Sequence, residues 1–166
     1  TATNLTLNLI RPDQSGIYRV IVANVAGAAL SDEARILVVG GDAVLSDLFP
    51  GSAFISAPNG FLQAANFGAT NEVGEPRHAG KMGGRSVWVN YSSAVPGIVT
   101  FRTRGSTFDT LLAAYIGGDV AGLSEVASDD DTGGFLSSII SFSAQPDVVY
   151  HIAIDGHAGQ DGKIIL

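Results

Sequence analysis

The chain has no cysteine among its 166 residues. This excludes disulfides, cysteine-type zinc sites and thiol nucleophiles, although extracellular modules with large cores can do without disulfides. No apolar run approaches the roughly 18 residues of a membrane-spanning helix, so insertion into a bilayer is not predicted. The chain also lacks a starting Met and a signal-peptide pattern, and we therefore expect it to be an excised or processed piece.

Basic residues are scarce as well. Nine Lys and Arg face sixteen Asp and Glu, for a net charge of −7. Nucleic-acid binding needs clusters of Lys and Arg, so this partner class is excluded. Residues 1–40 carry three side chains of each sign, which places the whole acidic excess in residues 41–166.

What the chain does contain is typical of an all-β protein. Twenty-one Gly accompany many Val, Ile and Thr residues, a composition that favours short strands joined by tight turns. The composition changes at Gly40-Gly41, and a glycine pair at such a change indicates a domain boundary. We therefore predict two regions, residues 1–40 and 41–166.

The first region is predicted to form three strands, "NLTLNLI", "GIYRVIVAN" and "ARILVV", with a hairpin-type turn at "NVAG". The run "PDQSGIYRVIVANVAG" resembles the C-terminal half of an intermediate-set immunoglobulin domain. The resemblance implies that Tyr18 is the corner tyrosine and that Val20 replaces the second cysteine, while Asp13 is displaced by one position.

Forty residues are too few for a complete immunoglobulin sandwich of about 100 residues. The apolar face and one edge of three strands need cover. That cover can come from the second region, from sequence upstream, or from another copy of the chain that supplies the strands.

The second region shows further strand patterns, which predict about eight short strands in a jelly-roll-like β-sandwich. The clearest runs are "RSVWVNY", "GIVTFRT", "DTLLAAYIG", "LSSIISFSA", "VVYHIAI" and "GKIIL".

Over residues 46–166 the second region resembles bacterial secreted modules related to the pre-peptidase C-terminal domain. The resemblance rests on the order of several runs, of which no single one is specific. It implies a non-catalytic appendage of a large exported protein. The runs are "SDLF", "GATNEVGEPRHAG", "GGRSVWVNY", "GIVTFRTRGSTFDTLLAAYIG", "LSEVASDDDTGG" and "VVYHIAIDGHAGQDGKIIL".

The stretch "ASDDDTGG" places Asp129, Asp130 and Asp131 side by side. Calcium accepts six to eight oxygen ligands in flexible geometry, so three carboxylates on a glycine-containing turn are candidate ligands. The alternative is a solvated hairpin tip whose Asp side chains cap backbone amides. The spacing is not that of an EF-hand loop.

The family resemblance implies a second candidate calcium site near the N-terminal edge of the module, at Asp47, Glu72 and Glu75. Two other acids, Asp109 and Asp155, are expected to be structural, with hydrogen bonds to turn amides under the sheet.

No catalytic arrangement is predicted. His151 and Asp155 share one side of a strand and His157 follows, but neither a nucleophile elbow nor a His-Glu-x-x-His helix is present. His78 is expected to be a hydrogen-bonding loop residue. Trp88 is expected to be buried, which leaves Tyr91 and Tyr115 as weak indications of a sugar-binding platform.

The sequence therefore predicts a non-catalytic extracellular module of a bacterial surface protein, structural or adhesive, with calcium as its candidate cofactor. Its expected partners are other copies of itself or neighbouring domains of the parent protein. Assembly between copies through strands or faces would build filaments, because such contacts do not close. The alternative is an accessory module of a secreted enzyme that binds polysaccharide or a matrix protein.

Overall fold

The computed structural model describes residues 16–36, 45–51, 53–55 and 59–166. The chain divides into two units. The amino-terminal unit comprises Thr1–Gly41 with Ala57–Leu62, and the carboxy-terminal unit comprises Asp42–Ser56 with Gln63–Leu166.

The prediction of an all-β protein is confirmed for the described residues. Three short 3-10 turns are the only helical elements there, at His78–Gly80, Val120–Gly122 and His157–Gly159. Within the same residues, no helix is both long and apolar enough to cross a membrane. The strands are β1 (Gly16–Tyr18), β2 (Ile21–Asn24), β3 (Gly27–Leu30), β4 (Ala34–Ile36), β5 (Phe54–Ile55), β6 (Gln63–Ala65), β7 (Val87–Tyr91), β8 (Gly97–Arg102), β9 (Thr110–Ile116), β10 (Ser124–Asp129), β11 (Ile139–Ala144), β12 (Tyr150–Gly156) and β13 (Lys163–Ile165).

Residues 16–36 of the amino-terminal unit form a long β-hairpin. β2 pairs with β3 and β1 pairs with β4, both antiparallel. The hairpin turn predicted at "NVAG" is confirmed, since Asn24 pairs with Gly27 and its Oδ1 accepts a hydrogen bond from Ala26 N at 2.8 Å.

Two details of this hairpin differ from the sequence prediction. The predicted strand "GIYRVIVAN" is divided into β1 and β2, because Val20 N bonds the side chain of Ser31 instead of a backbone carbonyl. β3 was not predicted. Three earlier predictions lie outside the described residues: the strand "NLTLNLI", the end of the strand "ARILVV", and the boundary at Gly40-Gly41.

The carboxy-terminal unit is built on a five-stranded sheet with the order β10-β9-β12-β7-β5. All of its pairings are antiparallel except that of β5 with β7. β8 pairs with β11, and β6 with β13. Of the roughly eight strands predicted for this region, the six quoted runs all form strands, while β5, β6 and β10 lie outside those runs.

Both faces of the central sheet are covered. The β8–β11 pair packs on one face, where the rings of Phe142 and Tyr150 are 4.8 Å apart and those of Tyr91 and Phe101 are 5.4 Å apart. On the other face Trp88 is completely buried, and Phe49 packs against it. The burial expected for Trp88 is thus confirmed, and Val87–Tyr91 are all buried. A jelly-roll path for these strands remains a prediction.

Sheet order brings two distant parts of the sequence together. β9 begins directly after Asp109, and β10 ends at Asp129. β9 and β10 are antiparallel neighbours, with Asp129 opposite Leu112. The start of β9 and the end of β10 therefore lie side by side at the same end of the strands.

Candidate functional site

Three carboxylates converge at this end of β9 and β10. One oxygen from each of Asp109, Asp130 and Asp131 lies within 4.8 Å of the other two. We call this group the acidic triad. Among the described residues it is the only group of three metal-ligating side chains that meets this distance. Asp130 and Asp131 were predicted candidate ligands, whereas Asp109 was expected to be structural.

Two oxygens of the acidic triad are buried without a hydrogen-bond partner. They are Asp109 Oδ1 and Asp130 Oδ1. The other oxygens of these two carboxylates face nitrogen atoms: Lys81 Nζ lies 3.1 Å from Asp130 Oδ2, and His157 Nδ1 lies 3.6 Å from Asp109 Oδ2. A buried carboxylate oxygen without a donor is costly. A hard cation would satisfy both oxygens, because oxygen is the ligand that calcium prefers.

The electrostatics of Asp109 are those of a crowded, partly desolvated carboxyl. Burial raises its pKa above the ordinary value, and the charges of Asp131 and Asp130 raise it further. His157 and Lys81 act in the opposite direction without reversing the shift. The acidic triad therefore holds its negative charge against repulsion that a bound cation would relieve.

This shift predicts how the stability of the metal-free protein depends on pH. The pKa of Asp109 is higher in the folded chain than its value of 3.8 elsewhere, so the folded state binds the proton more tightly than the unfolded state. The resulting stabilisation is present below about pH 3.8 and is lost as the pH rises through the folded pKa. Denaturant unfolding with chelator between pH 3.5 and 6 measures it. The Asp109→Asn variant should lose this part of the pH dependence, and an unchanged profile would contradict the assignment.

Asp129 has a different role from its two neighbours. Its Oδ2 accepts hydrogen bonds from Thr132 N at 3.1 Å and from Ile139 N at 2.8 Å. For this residue the structure matches the alternative of a capped turn. Asp129 thus holds the loop that presents Asp130 and Asp131.

The candidate ligands Asp47, Glu72 and Glu75 are not part of the acidic triad, and they tie two loops together. Asp47 Oδ1 accepts a bond from Thr70 N at 2.6 Å, and Glu72 Oε2 accepts one from Phe49 N at 2.6 Å. Glu75 Oε2 accepts a bond from Glu72 N at 2.8 Å. Each of these carboxylates therefore already has backbone amide donors.

Glu75 also belongs to a buried network. Its Oε1 lies 2.8 Å from His78 Nε2, and His78 Nδ1 lies 2.9 Å from the Tyr115 hydroxyl. Burial raises the pKa of Glu75, but hydrogen bonds from His78, Ser86 and the backbone of Glu72 outweigh it, and the net pKa is lowered. The expectation that His78 is a hydrogen-bonding loop residue is confirmed.

Asp155 and Asp109, which we expected to behave alike, differ. Asp155 is buried and accepts hydrogen bonds from the backbone amides of Gly84, Arg85 and Gly156, which confirms its structural role. For Asp109 the expectation is wrong, because its Oδ1 accepts no hydrogen bond and its carboxylate faces Asp130, Asp131 and His157. The reason is the β9–β10 pairing, which places Asp109 beside the Asp run.

The remaining residues considered for catalysis or sugar binding are occupied in the interior. His151 bonds Asn90 and the Gly117 carbonyl, and the Trp88 ring has no exposed surface. Tyr115 is buried, and burial is the main cause that raises its pKa. None of these side chains presents a reactive or stacking group to solvent.

Sequence reasoning favoured a structural role for Asp109 and did not consider Lys81 as a member of the site. "STFDT" and "AGKMG" give no local signal of a ligand or a counter-ion. Comparison with protein-family models finds none that matches the chain, and comparisons with curated proteins and with solved structures find no match either.

Proposed function

We propose that this chain is a non-catalytic, extracellular structural module of a bacterial surface protein, and that calcium stabilises its carboxy-terminal unit. The observation that carries the proposal is the acidic triad with two buried carboxylate oxygens that have no donor. Asp109, Asp130 and Asp131 would hold the ion. Its charge would cross-link the start of β9 to the loop after β10.

The residues of the site are expected to bind calcium with low affinity. Three carboxylates supply negative charge, but Lys81 already neutralises part of it at Asp130. Sites of this strength, with dissociation constants of about 10⁻⁴–10⁻³ M, are typical of extracellular modules. Such a site would be filled outside the cell and mostly empty in the cytoplasm.

The absence of catalysis is part of the proposal. His78 and His151 each have both ring nitrogens in interior contacts. His157 faces Asp109, which we assign to the ion. A hydrolase needs a nucleophile, a base and an oxyanion donor at one exposed point, and the described residues do not bring such a set together.

Limited proteolysis tests the calcium proposal at the loop itself. Phe135 is 90% exposed and lies four residues after Asp131, which makes it a chymotrypsin site in the same loop. Calcium at Asp130 and Asp131 should slow cleavage there by about tenfold or more, because cleavage follows local opening and the ion stabilises the closed loop. Mass spectrometry of the fragments measures the rate.

Cleavage after Phe67, which is 65% exposed, is the internal reference. Calcium should slow cleavage at Phe135 more than at Phe67, and magnesium at the same concentration should have a smaller effect. Equal rates at Phe135 with calcium and with chelator would contradict the proposal.

A second function, assembly between copies, is favoured by the amino-terminal hairpin. Every residue of β2 and β3 is exposed, and Ile21 and Val22, which point to opposite faces, are each 68% exposed. Strands that are apolar and exposed on both faces are unusual in a monomer. Another copy of the chain is the partner that this proposal assigns to them.

Sedimentation velocity over a hundredfold concentration range tests assembly. The native chain should form species that grow with concentration, and the Val22→Lys variant should shift the equilibrium at least about tenfold toward monomer, because a buried Lys at a contact costs more than 1.4 kcal/mol. Ser143→Lys, at an exposed position of β11 in the carboxy-terminal unit, is the matched control for added charge. A native chain that stays monomeric at all concentrations would contradict assembly.

A further inference from the structure

His151 on β12 is buried, and both of its ring nitrogens face oxygen atoms. Nδ1 lies 2.7 Å from Asn90 Oδ1, and Nε2 lies 2.9 Å from the carbonyl oxygen of Gly117. Both distances are those of full hydrogen bonds. The side chain is therefore held between β7 and the turn that follows β9.

The orientation of Asn90 is fixed by a third contact. Its Nδ2 donates to the carbonyl oxygen of Gly51 at 2.9 Å. A flipped amide would place two oxygens against each other there, so Oδ1 must face His151. Both atoms opposite the ring are thus acceptors.

A neutral imidazole has one N–H and can donate to only one of these oxygens, whereas the protonated ring donates to both. We propose that His151 is a proton-operated latch: the protonated ring binds both oxygens, and loss of the proton releases the Gly117 carbonyl and loosens the turn of residues 117–123. The hydrogen bond to Gly117 is the one that breaks, because Gly117 is exposed beside Gly118. Asn90 is buried and is also bonded to Gly51.

The surroundings of His151 are mostly uncharged. Phe49 packs edge-on with its ring centroid 4.7 Å away, and Phe54 on β5 pairs with Asn90. Tyr115 on β9 is opposite His151, and its hydroxyl contacts His78. On the next strand, Glu125 of β10 pairs with Tyr115 and is the charged residue in register with His151. Its carboxylate accepts a hydrogen bond from Ser128.

These surroundings set the pH at which the latch works. Burial lowers the pKa of His151, and the hydrogen bond to the Gly117 carbonyl acts in the opposite direction. The titration is therefore expected below the ordinary histidine value of about 6.5. The latch closes under mildly acidic conditions and opens near neutral pH.

Opening of the turn has a consequence for the core. Val120 and Leu123 lie on this turn and pack against the buried cluster that contains Trp88 and Tyr115. Release of Gly117 would loosen this cover. Trp88 is the single tryptophan of the chain, so its fluorescence reports the change directly.

Nitrogen NMR of histidine-labelled protein between pH 4.5 and 8, with the emission of Trp88 recorded in parallel, tests the latch. We expect two protonated ring nitrogens on His151 at acidic pH and one at pH 8. The same midpoint should govern a red shift of Trp88 emission and a change in the Gly118 amide signal. Asn90→Asp should raise the midpoint by about one pH unit or more, because a carboxylate favours the charged ring.

His157→Gln removes a histidine outside this contact and should leave the midpoint unchanged. A single neutral form of His151 throughout the pH range would overturn the proposal. So would a titration of His151 that changes neither Trp88 emission nor the Gly118 amide. Both readouts use the native chain, so the proposal stays testable if a variant fails to fold.

Discussion

Replacing Asp109 by Asn is expected to stabilise the metal-free protein and to abolish its response to calcium. Without metal, the substitution removes a carboxylate that is repelled by Asp130 and Asp131 and has a buried oxygen without a donor. Relief of such an unpaired charge is worth about 1 kcal/mol or more, or about 2–4 °C in melting temperature for a chain of this size.

Calcium should reverse this difference in stability, so that the native chain becomes more stable than the Asp109→Asn variant. For a dissociation constant near 10⁻⁴ M, 10 mM calcium stabilises the native chain by about 2.7 kcal/mol, which corresponds to about 5–10 °C. The Asp109→Asn variant lacks one of three carboxylate ligands and should gain little. Thermal unfolding with calcium and with chelator measures both effects.

The matched control is Asp147→Asn. Asp147 lies in the turn between β11 and β12, at the end of these strands opposite the acidic triad. Asparagine tolerates its positive φ of 59°. This variant loses the same charge but should keep the full calcium response. An Asp109→Asn protein that is less stable than the native chain without metal, or that responds equally to calcium, would contradict the assignment of Asp109.

Replacing Asp155 by Asn is expected to destabilise the carboxy-terminal unit by about 3–5 kcal/mol. The buried carboxylate accepts backbone N–H groups from Gly84, Arg85 and Gly156. The side-chain amide of Asn would place a donor against one of these donors and leave it unsatisfied. Denaturant unfolding should show this loss, and the melting temperature should fall by about 10 °C or more.

Asp161→Asn is the control for this substitution. Asp161 is partly exposed and forms an ion pair with Arg85 at the surface, so its loss should cost about 1 kcal/mol or less. Calcium should still stabilise the fraction of the Asp155→Asn protein that remains folded. This response distinguishes a structural carboxylate from a calcium ligand. A loss of stability similar to that of Asp161→Asn would contradict the role given to Asp155.

The sequence predicted much of the fold, because alternation of apolar residues is a local property. "RSVWVNY" and "GIVTFRT" form the expected strands β7 and β8. β10 was missed because "SEVASD" has a weak alternation and ends in charge. β5 was missed because two residues are too few for a periodic signal.

The candidate site was only partly predictable. The Asp run could be identified from sequence because its three residues are adjacent. Asp109 could not, because it lies 20 residues before this run and joins it only through the pairing of β9 with β10. Similarly, Asp129 and Asp130 are chemically alike, and only the path of the loop after β10 assigns one to a cap and the other to the acidic triad.

Isothermal titration of calcium into the chelator-treated chain, at pH 7.5 and with magnesium as the comparison, tests the central claim most directly. Our account predicts one calcium ion per chain with a dissociation constant of about 10⁻⁴–10⁻³ M, weaker binding of magnesium, and loss of binding in the Asp109→Asn variant. Absence of calcium binding up to about 10 mM, a concentration well above that range, or binding that Asp109→Asn leaves unchanged, would contradict it.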